Sequence, residues 1–392
     1  MPLSVLLLSL CQALLISGNI LLIAVSPLIG AQLAPSSAWS TAPVATQWLG
    51  LMCATVPASL IMARFGRRRG FLLGNLIGLA GVAAACEALI HTDFWRFMLA
   101  TWLLGIGIGF GQLYRFAAIE VAPVHHRDRA IGLVMGGGVL AAFFGPWLAN
   151  TSRGLGDTPF LASFLGLGAL YVLALLVLAL IRLPPPETTH EPGSARPLGQ
   201  VLRQPAFIVA VLSGLIGYGV MNLAMTATPL AMNAAGHDFA HVATTIQWHV
   251  LAMFLPSFFT GHLSARFGAR TMIVLGCLLL AASGLVAQID QSIGSFYGGL
   301  ILLGLGWNFT FLPATGLLTE SYRPAEKART QATNEFLVFS TVAVTALIAG
   351  PLVSELGWSR LNALLIPLSL APILALAWQR LASRAPHPHI GG

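Results

Sequence analysis

The sequence predicts an all-α membrane protein of 12 transmembrane helices in two pseudo-symmetric six-helix bundles. Three observations predict it. The 392 residues are 56% hydrophobic and only 8% charged, where a soluble protein carries about 25% charged residues. No charged residue occurs from Met1 to Ala63, and uncharged runs recur between Arg203 and Asp238, Arg270 and Asp290, Asp290 and Glu320, Glu335 and Glu355, and Arg360 and Arg380. Each supplies the roughly 20 apolar residues that cross a bilayer. Second, Gln47-Trp48 … Pro57 … Ala63-Arg64-Phe65-Gly66 returns half a chain later as Gln247-Trp248 … Pro256 … Ala265-Arg266-Phe267-Gly268. Whole-chain duplication in so apolar a protein marks a pair of helical bundles. Third, the basic residues fall in short loops on alternate sides of the apolar runs, as the positive-inside rule requires.

The first span, 3–29, has no basic n-region of a signal peptide. Leu8-Ser9-Leu10-Cys11 is like a lipobox, but Leu10 is too large for the position before the cysteine, so the segment reads as a retained helix. Spans 2 (42–63) and 3 (71–91) flank the cluster Arg64, Arg67, Arg68 and Arg69. Span 4 (94–120) carries Gly105-x-Gly107 and Arg115, span 5 (130–151) carries Gly145-Pro146, and span 6 (159–182) completes the first half. The stretch from Leu183 to Gln204, with Pro184-Pro185-Pro186, Glu187 and Glu191, has too few apolar residues to cross and reads as a cytoplasmic linker. The later spans fall at 205–232, 241–264, 270–289, 293–319, 330–353 and 360–381. The expected organisation is therefore a bundle at 1–183, a linker at 184–204 and a second bundle at 205–392.

With the N-terminus inside, sixteen basic residues (Arg64, Arg67, Arg68, Arg69, Arg127, Arg129, Arg182, Arg196, Arg203, Arg266, Arg270, Arg323, Lys327, Arg329, Arg380 and Arg384) face the cytoplasm. Three (Arg96, Arg153 and Arg360) face the other side. That placement assigns the net charge of +7 to membrane topology, not to nucleic acid. Cys11, Cys53, Cys86 and Cys277 lie in apolar runs without CxxC spacing and read as small core residues. His125-His126-Arg127-Asp128 sits in a short loop without a second ligand cluster, so no metal site is expected. There is no P-loop, no sign of a cofactor, and no arrangement that marks an enzyme.

The halves correspond at further points. Ser26-Pro27 echoes Thr228-Pro229, Gly105-x-Gly107 echoes Gly304-x-Gly306, and Gly145-Pro146 echoes Gly350-Pro351, at offsets of 202, 199 and 205 residues. Prolines bend helices and glycines let their backbones approach closely. Paired kinks suit bundles that rock against each other.

Ser59-Leu60-Ile61-Met62-Ala63-Arg64-Phe65-Gly66-Arg67-Arg68-Arg69 resembles the loop 2–3 motif of the major facilitator superfamily, Gly-x-x-x-Asp-Arg-x-Gly-Arg-Arg/Lys. Ser59 replaces the first glycine and Ala63 the aspartate. The second copy, from Gly261 to Arg270, keeps the glycine and has Ala265 at the acidic position. The Gly145-Pro146 end of span 5, with Gly132 thirteen residues earlier, is similar to the family's antiporter motif, though Ala141, Ala149 and Asn150 stand where glycines are expected. The resemblance implies gating roles for Arg64, Gly66, Arg67, Arg68, Gly145, Pro146, Arg266 and Gly268. Gln112-Leu113-Tyr114-Arg115-Phe116-Ala117-Ala118, Met225-Thr226-Ala227-Thr228-Pro229 and Gln247-Trp248-His249 resemble a bacterial branch that contains riboflavin-uptake permeases of proteobacteria.

Arg115 stands out because a cation inside a span costs about 2.5–3.5 kcal/mol unless it meets a polar cavity or a partner. In the fold the chain resembles, span 4 lines the central cavity, where Arg115 would hold a substrate group or pair with a titrating acid. The structural alternatives are snorkelling to the headgroups or pairing with Glu120. Candidates for proton coupling are Arg115, Glu335, Glu87 and His249; Glu335 has the alternative of capping a helix start, and His249 that of a neutral hydrogen-bonded residue. Substrate-binding candidates near the midplane are Asn19, Tyr114, Arg115, Asn222, Thr226, Gln247, Trp248, Trp307 and Asn308, with Gln47 and Trp48 beside them. Amides would hydrogen-bond an organic solute and indoles would stack on a planar ring. Trp48 and Trp248 alternatively belong to an interfacial belt.

The expected activity is secondary active transport of a small organic solute by alternating access, coupled to protons. The expected protein is a monomer in a bacterial inner membrane, both termini cytoplasmic, with its substrate and membrane lipids as partners. The alternatives are a vitamin uptake permease, a drug or metabolite efflux antiporter, and a non-transporting sensor on the same fold.

Overall fold

A computed structural model of the chain describes residues 2–123, 127–181, 183 and 196–382. The first half contains α1 (Leu3–Leu33), α2 (Ala42–Phe65), α3 (Arg67–Ile90), α4 (Phe94–Gly111), α5 (Tyr114–Val121), α6 (Arg127–Ser152) and α7 (Leu161–Leu180). The second half contains the short α8 (Leu198–Leu202), α9 (Pro205–Ala234), α10 (Phe239–Phe254), α11 (Ser257–Phe267), α12 (Ala269–Val286), α13 (Ile293–Leu318) and α14 (Lys327–Ala382).

Among the described residues nine helices are long and apolar enough to cross a membrane, and ten if α10 and α11, which meet at 43°, form one span. The 26-residue α6 has the length of a crossing but is not among these. The stretch Arg329–Leu381 counts once but is 53 residues long, roughly 80 Å at the helical rise, or more than two bilayer cores. It folds back at Gly357, whose φ of 76° breaks the helix. With α6 and the two arms of this stretch counted, the described helices are consistent with twelve crossings close to the expected boundaries. Two spans are not continuous, however: span 4 breaks at Gln112–Leu113 between α4 and α5, and span 8 at Leu255–Pro256 between α10 and α11. The proline explains the second break, since it removes an N–H donor and crowds the preceding turn.

The echoed glycines do equivalent work in each half. A Cβ on Gly105 would lie 1.9 Å from the Gln47 carbonyl oxygen, and one on Gly304 would lie 2.5 Å from that of His249. A Cβ on Gly107 would lie 2.9 Å from the Gly74 oxygen, and one on Gly306 would lie 3.0 Å from the Gly276 oxygen. Span 4 is thus pressed against spans 2 and 3, and span 10 against spans 8 and 9, at backbone contact.

The two ends of the molecule differ. At the arginine-rich end the polar bonds among the described residues run within each half. Arg67 Nε donates to Glu120 Oε2 at 2.6 Å and Arg270 Nη2 to Glu320 Oε2 at 3.0 Å, so an acid at the end of span 4 or 10 answers an arginine at the start of span 3 or 9. Arg68 donates to the Leu178 and Ala179 carbonyls at the C-terminal end of α7, where the helix dipole favours a cation. Residues 184–195 of the expected linker lie outside the described residues. Beyond them Arg196 donates to buried Glu326 through Nε at 2.8 Å and Nη2 at 2.6 Å. These bonds, with those from the Arg323 and Arg196 amides, hold the Glu326 carboxyl well below the usual carboxylate range.

At the arginine-poor end the halves are bonded to each other. Pro351 has no N–H, so the Leu347 carbonyl four residues earlier lacks its helical donor. Thr41, on the other half, donates to that carbonyl at 3.3 Å and accepts from the Gly350 N–H at 2.9 Å. The approach requires a glycine: a Cβ on Gly350 would lie 2.3 Å from Ser40 Oγ. Nearby, Arg153 of the first half lies 4.9 Å from the ring centroid of Phe239 of the second. Replacing Thr41 with valine keeps the shape and removes both bonds. In a cysteine-free background carrying Asn19→Cys, this change should speed labelling by an impermeant maleimide from the arginine-poor side about fivefold, the factor for about 1 kcal/mol. Unchanged labelling would show that the bonds do not hold that end shut.

Candidate functional site

Between the halves lies a cavity of about 160 Å³. Its walls come from seven spans, and on each the lining side chains follow helical spacing: Gln12, Ile16, Asn19, Ile20 and Ile23; Trp48 and Leu51; Gln112 and Arg115; Tyr218, Met221, Asn222 and Met225; Val250, Met253 and Phe254; Trp307 and Phe311; Glu335 and Phe339. Steps of three, four and seven place residues on one helix face.

The polar part centres on Arg115 and Glu335, contributed by opposite halves. Arg115 Nη2 lies 4.0 Å from Glu335 Oε1, with the two side chains 37% and 36% exposed. The guanidinium also lies 4.9 Å from the Phe116 ring centroid. Glu120, considered from the sequence as an Arg115 partner, is engaged by Arg67 instead. An ion pair this long, open to the cavity, can be broken by a ligand or by protonation of the acid without stranding a fully buried charge.

The aromatic part centres on Tyr218. Its ring stands edge-on to Trp48, Trp307 and Phe311 at centroid distances of 5.9, 5.5 and 5.2 Å. Trp307 is stacked on Phe311 at 5.2 Å, and Trp48 on Phe339 at 6.0 Å. Trp48 belongs to the first half and the other rings to the second, so this cluster also bridges the halves. Four buried polar atoms of the lining have no hydrogen-bond partner: Gln12 Oε1, Trp48 Nε1, Arg115 Nε and Trp307 Nε1. Unpaired buried polar groups are costly, and their grouping around one cavity marks it as a place for a polar ligand.

Of the residues expected near the substrate, Asn19, Arg115, Asn222 and Trp307 line the cavity, as do Trp48 and Glu335, the latter expected at proton coupling. Asn19 accepts from Gln47 Nε2 at 2.6 Å, and Asn222 donates to the Val342 carbonyl at 3.0 Å and to Thr345 at 3.1 Å. The others stand away from it. Tyr114 is buried in the first half, where its hydroxyl accepts from Asn75 at 2.9 Å. Asn308 donates to the Met253 carbonyl and to Ser257, each at 2.7 Å, bracing the break in span 8. His249 is buried with Nδ1 2.8 Å from the Leu300 carbonyl. Thr226 is buried, Gln247 is half-buried, and Trp248 and Glu87 are exposed; none of these lines the cavity. Trp48 and Trp248, equivalent in the repeat, therefore face inward and outward respectively.

The residues expected at the gates lie at turns and close contacts. Gly66 and Gly268 join spans 2–3 and 8–9 with φ of 89° and 87°, in a region that side chains with a Cβ rarely enter. Arg64 and Arg266 each lie over the following phenylalanine, at 5.4 and 5.3 Å from the ring centroid. Gly145 meets span 1, where a Cβ would lie 2.7 Å from the Ser17 oxygen, and Pro146 lies within α6.

Sequence reasoning overlooked Gln112, Tyr218, Phe254, Phe311 and Phe339 and gave Gln12 no role. The signal was register. Gln12 is seven residues before Asn19, Tyr218 four before Asn222, Phe311 four after Trp307, and Phe339 four after Glu335.

Comparison with known proteins agrees with this architecture. A family model described as Major Facilitator Superfamily matches residues 8–247 and again 212–391. The riboflavin transporter RfnT of Brucella anthropi is 41% identical over 370 residues, covering 93% of this chain and 92% of the relative. The uncharacterized MFS-type transporter YddS of Bacillus subtilis is 29% identical over 363 residues, covering 88% and 83%. Among solved structures a D-xylose–proton symporter superposes with a TM-score of 0.73 at 16% identity, covering 95% of this chain and 96% of that one.

Proposed function

The chain belongs to the major facilitator superfamily, and we propose that this secondary transporter carries riboflavin, or a flavin close to it, inward together with protons. The observation that carries the reading is the cavity between the halves. It joins an aromatic cluster suited to a planar ring with unpaired donors and an acceptor suited to a polar heterocycle. The 41% identity to a riboflavin transporter supports the choice of solute.

In this reading the arginine-rich end faces the cytoplasm of a bacterial inner membrane, supported by sixteen basic residues against three. The termini are then cytoplasmic, and closure at Thr41 makes the described state inward-facing. Residues 1–183 and 205–392 move as bodies about the cavity, turning at Gly66 and Gly268, with Arg64, Arg67, Arg68 and Arg266 at the inner gate and Gly145-Pro146 at the span 5 contact. The Arg115–Glu335 pair is the coupling element: a proton on Glu335 frees Arg115, and the pair reforms when the proton leaves. The protein acts as a lipid-embedded monomer on a small molecule, without a cofactor, enzymatic chemistry or nucleic acid.

Proteoliposomes holding the purified protein should accumulate radiolabelled riboflavin when the outside is made acidic, and a protonophore should abolish accumulation. Riboflavin binding without flux would support a sensor instead. Flux that a protonophore leaves concentrative would remove proton coupling, and absence of both binding and flux would remove the flavin.

A further inference from the structure

The charged groups of the cavity sit toward one end and most of its aromatic rings toward the other, with Asn19 and Asn222 at the aromatic depth and Phe311 at the charged one. At the helical rise of about 1.5 Å per residue, Gln12, Gln112, Arg115 and Glu335 lie roughly 9–14 Å from the arginine-rich ends of their spans. By the same measure Trp307, Phe339, Tyr218 and Trp48 lie roughly 16–26 Å in. Each end has unsatisfied atoms of a different kind: the two indole N–H donors at the aromatic end, and the Gln12 acceptor with the Arg115 Nε donor at the polar end.

From this we infer that Gln12 is a specificity-determining residue, reading the polyhydroxylated chain of a solute whose planar ring sits among Trp48, Tyr218 and Trp307. The inference rests on the proposed flavin reading and deepens it. A hydroxyl group both donates and accepts, so a short run of hydroxyls satisfies Gln12 Oε1 and Arg115 Nε together. A carboxylate would engage Arg115 but meet the acceptor of Gln12 and the charge of Glu335. An ammonium would suit those two but face Arg115. A neutral polyol is the group that opposes none of them. Gln12 is buried, 5% exposed as a residue, so an analogue without hydroxyls leaves its oxygen without a partner. The ring accepts the indole donors through its carbonyl and nitrogen acceptors whether or not the chain is present.

The test compares binding of riboflavin and of lumiflavin, the same isoalloxazine ring with a methyl group in place of the polyol, by flavin fluorescence quenching on the purified protein. Wild type should bind riboflavin about tenfold more tightly, the effect of one or two hydrogen bonds. Gln12→Met, close in shape and unable to hydrogen-bond, should weaken riboflavin to near the lumiflavin value and leave lumiflavin within about twofold. Retained lumiflavin affinity also reports that the variant is folded. Trp307→Phe should weaken both ligands alike. Equal losses for both ligands in Gln12→Met, or no wild-type preference, would overturn the assignment. If wild type binds neither flavin, the proposed solute fails and the orientation fails with it.

Discussion

Arg115→Ala is expected to lower the initial rate of transport at least about tenfold, with the protein still inserted and folded. Arg115 is the one basic residue left in span 4 when the other nineteen are assigned to the two faces of the membrane, and its partner Glu335 comes from the opposite half. Truncating it removes a donor from the cavity and leaves Glu335 without its cation. Losing one member of a charge pair costs up to about 2–5 kcal/mol when both are desolvated, and less here because both side chains are partly exposed. The loss should therefore appear in function more than in stability. Glu335→Gln separates the roles: it keeps a hydrogen-bonding group and removes the titrating one, so equilibrium exchange should persist while concentrative uptake is lost. Wild-type uptake by Arg115→Ala would exclude the pair from the mechanism, as would proton-driven accumulation by Glu335→Gln.

The second large effect is on the fold. Gly105→Val would place atoms where the Gln47 carbonyl oxygen already lies, since even a Cβ falls 1.9 Å from it. The obstruction is backbone, so no rotamer change relieves it. Overpacking commonly costs about 1–3 kcal/mol and more where nothing can move; the variant should be recovered poorly or melt many degrees lower. Gly304→Val should behave similarly against the His249 carbonyl. Gly298→Val, six residues earlier on the same helix, has nothing within 4 Å of its Cβ and serves as the control. Equal melting temperatures for Gly298→Val and Gly304→Val would refute the claim that these contacts hold the spans together.

Much of this was legible in the chain. Uncharged runs and alternating arginines fix where a helix can cross, because the bilayer sets both length and charge cost. The repeat anticipated the paired glycines, which make matching contacts. The breaks in spans 4 and 8 were less legible. Pro256 signalled one; the other, at Gln112–Leu113, has no proline and follows Gly109 and Gly111, in a glycine run that reads first as close helix packing. Site residues were found where a polar residue interrupts an apolar run, as with Asn19, Asn222 and Arg115. Aromatic lining was missed because Tyr218, Phe311 and Phe339 look like ordinary core until a register is fixed. Tyr114 and Asn308 misled for the complementary reason: a polar residue in a membrane helix must find a partner, and theirs are helix-packing contacts, not the cavity.

The acids missing at Ala63 and Ala265 find an answer in space. Glu120 and Glu320 supply carboxylates to Arg67 and Arg270 from the ends of spans 4 and 10, while Arg64 and Arg266, beside the two alanines, lie over phenylalanine rings.

The closure at Thr41 has a consequence for how the protein responds to its surroundings. Its contacts are a hydroxyl, a carbonyl freed by a proline, an amide and an arginine over an aromatic ring, and none pairs opposite charges. Ionic strength on that face, which screens ion pairs within about 10 Å at 0.1 M salt, has little to act on there. Opening instead requires water to reach the Leu347 carbonyl, so osmolytes that lower water activity should slow that step where salt does not.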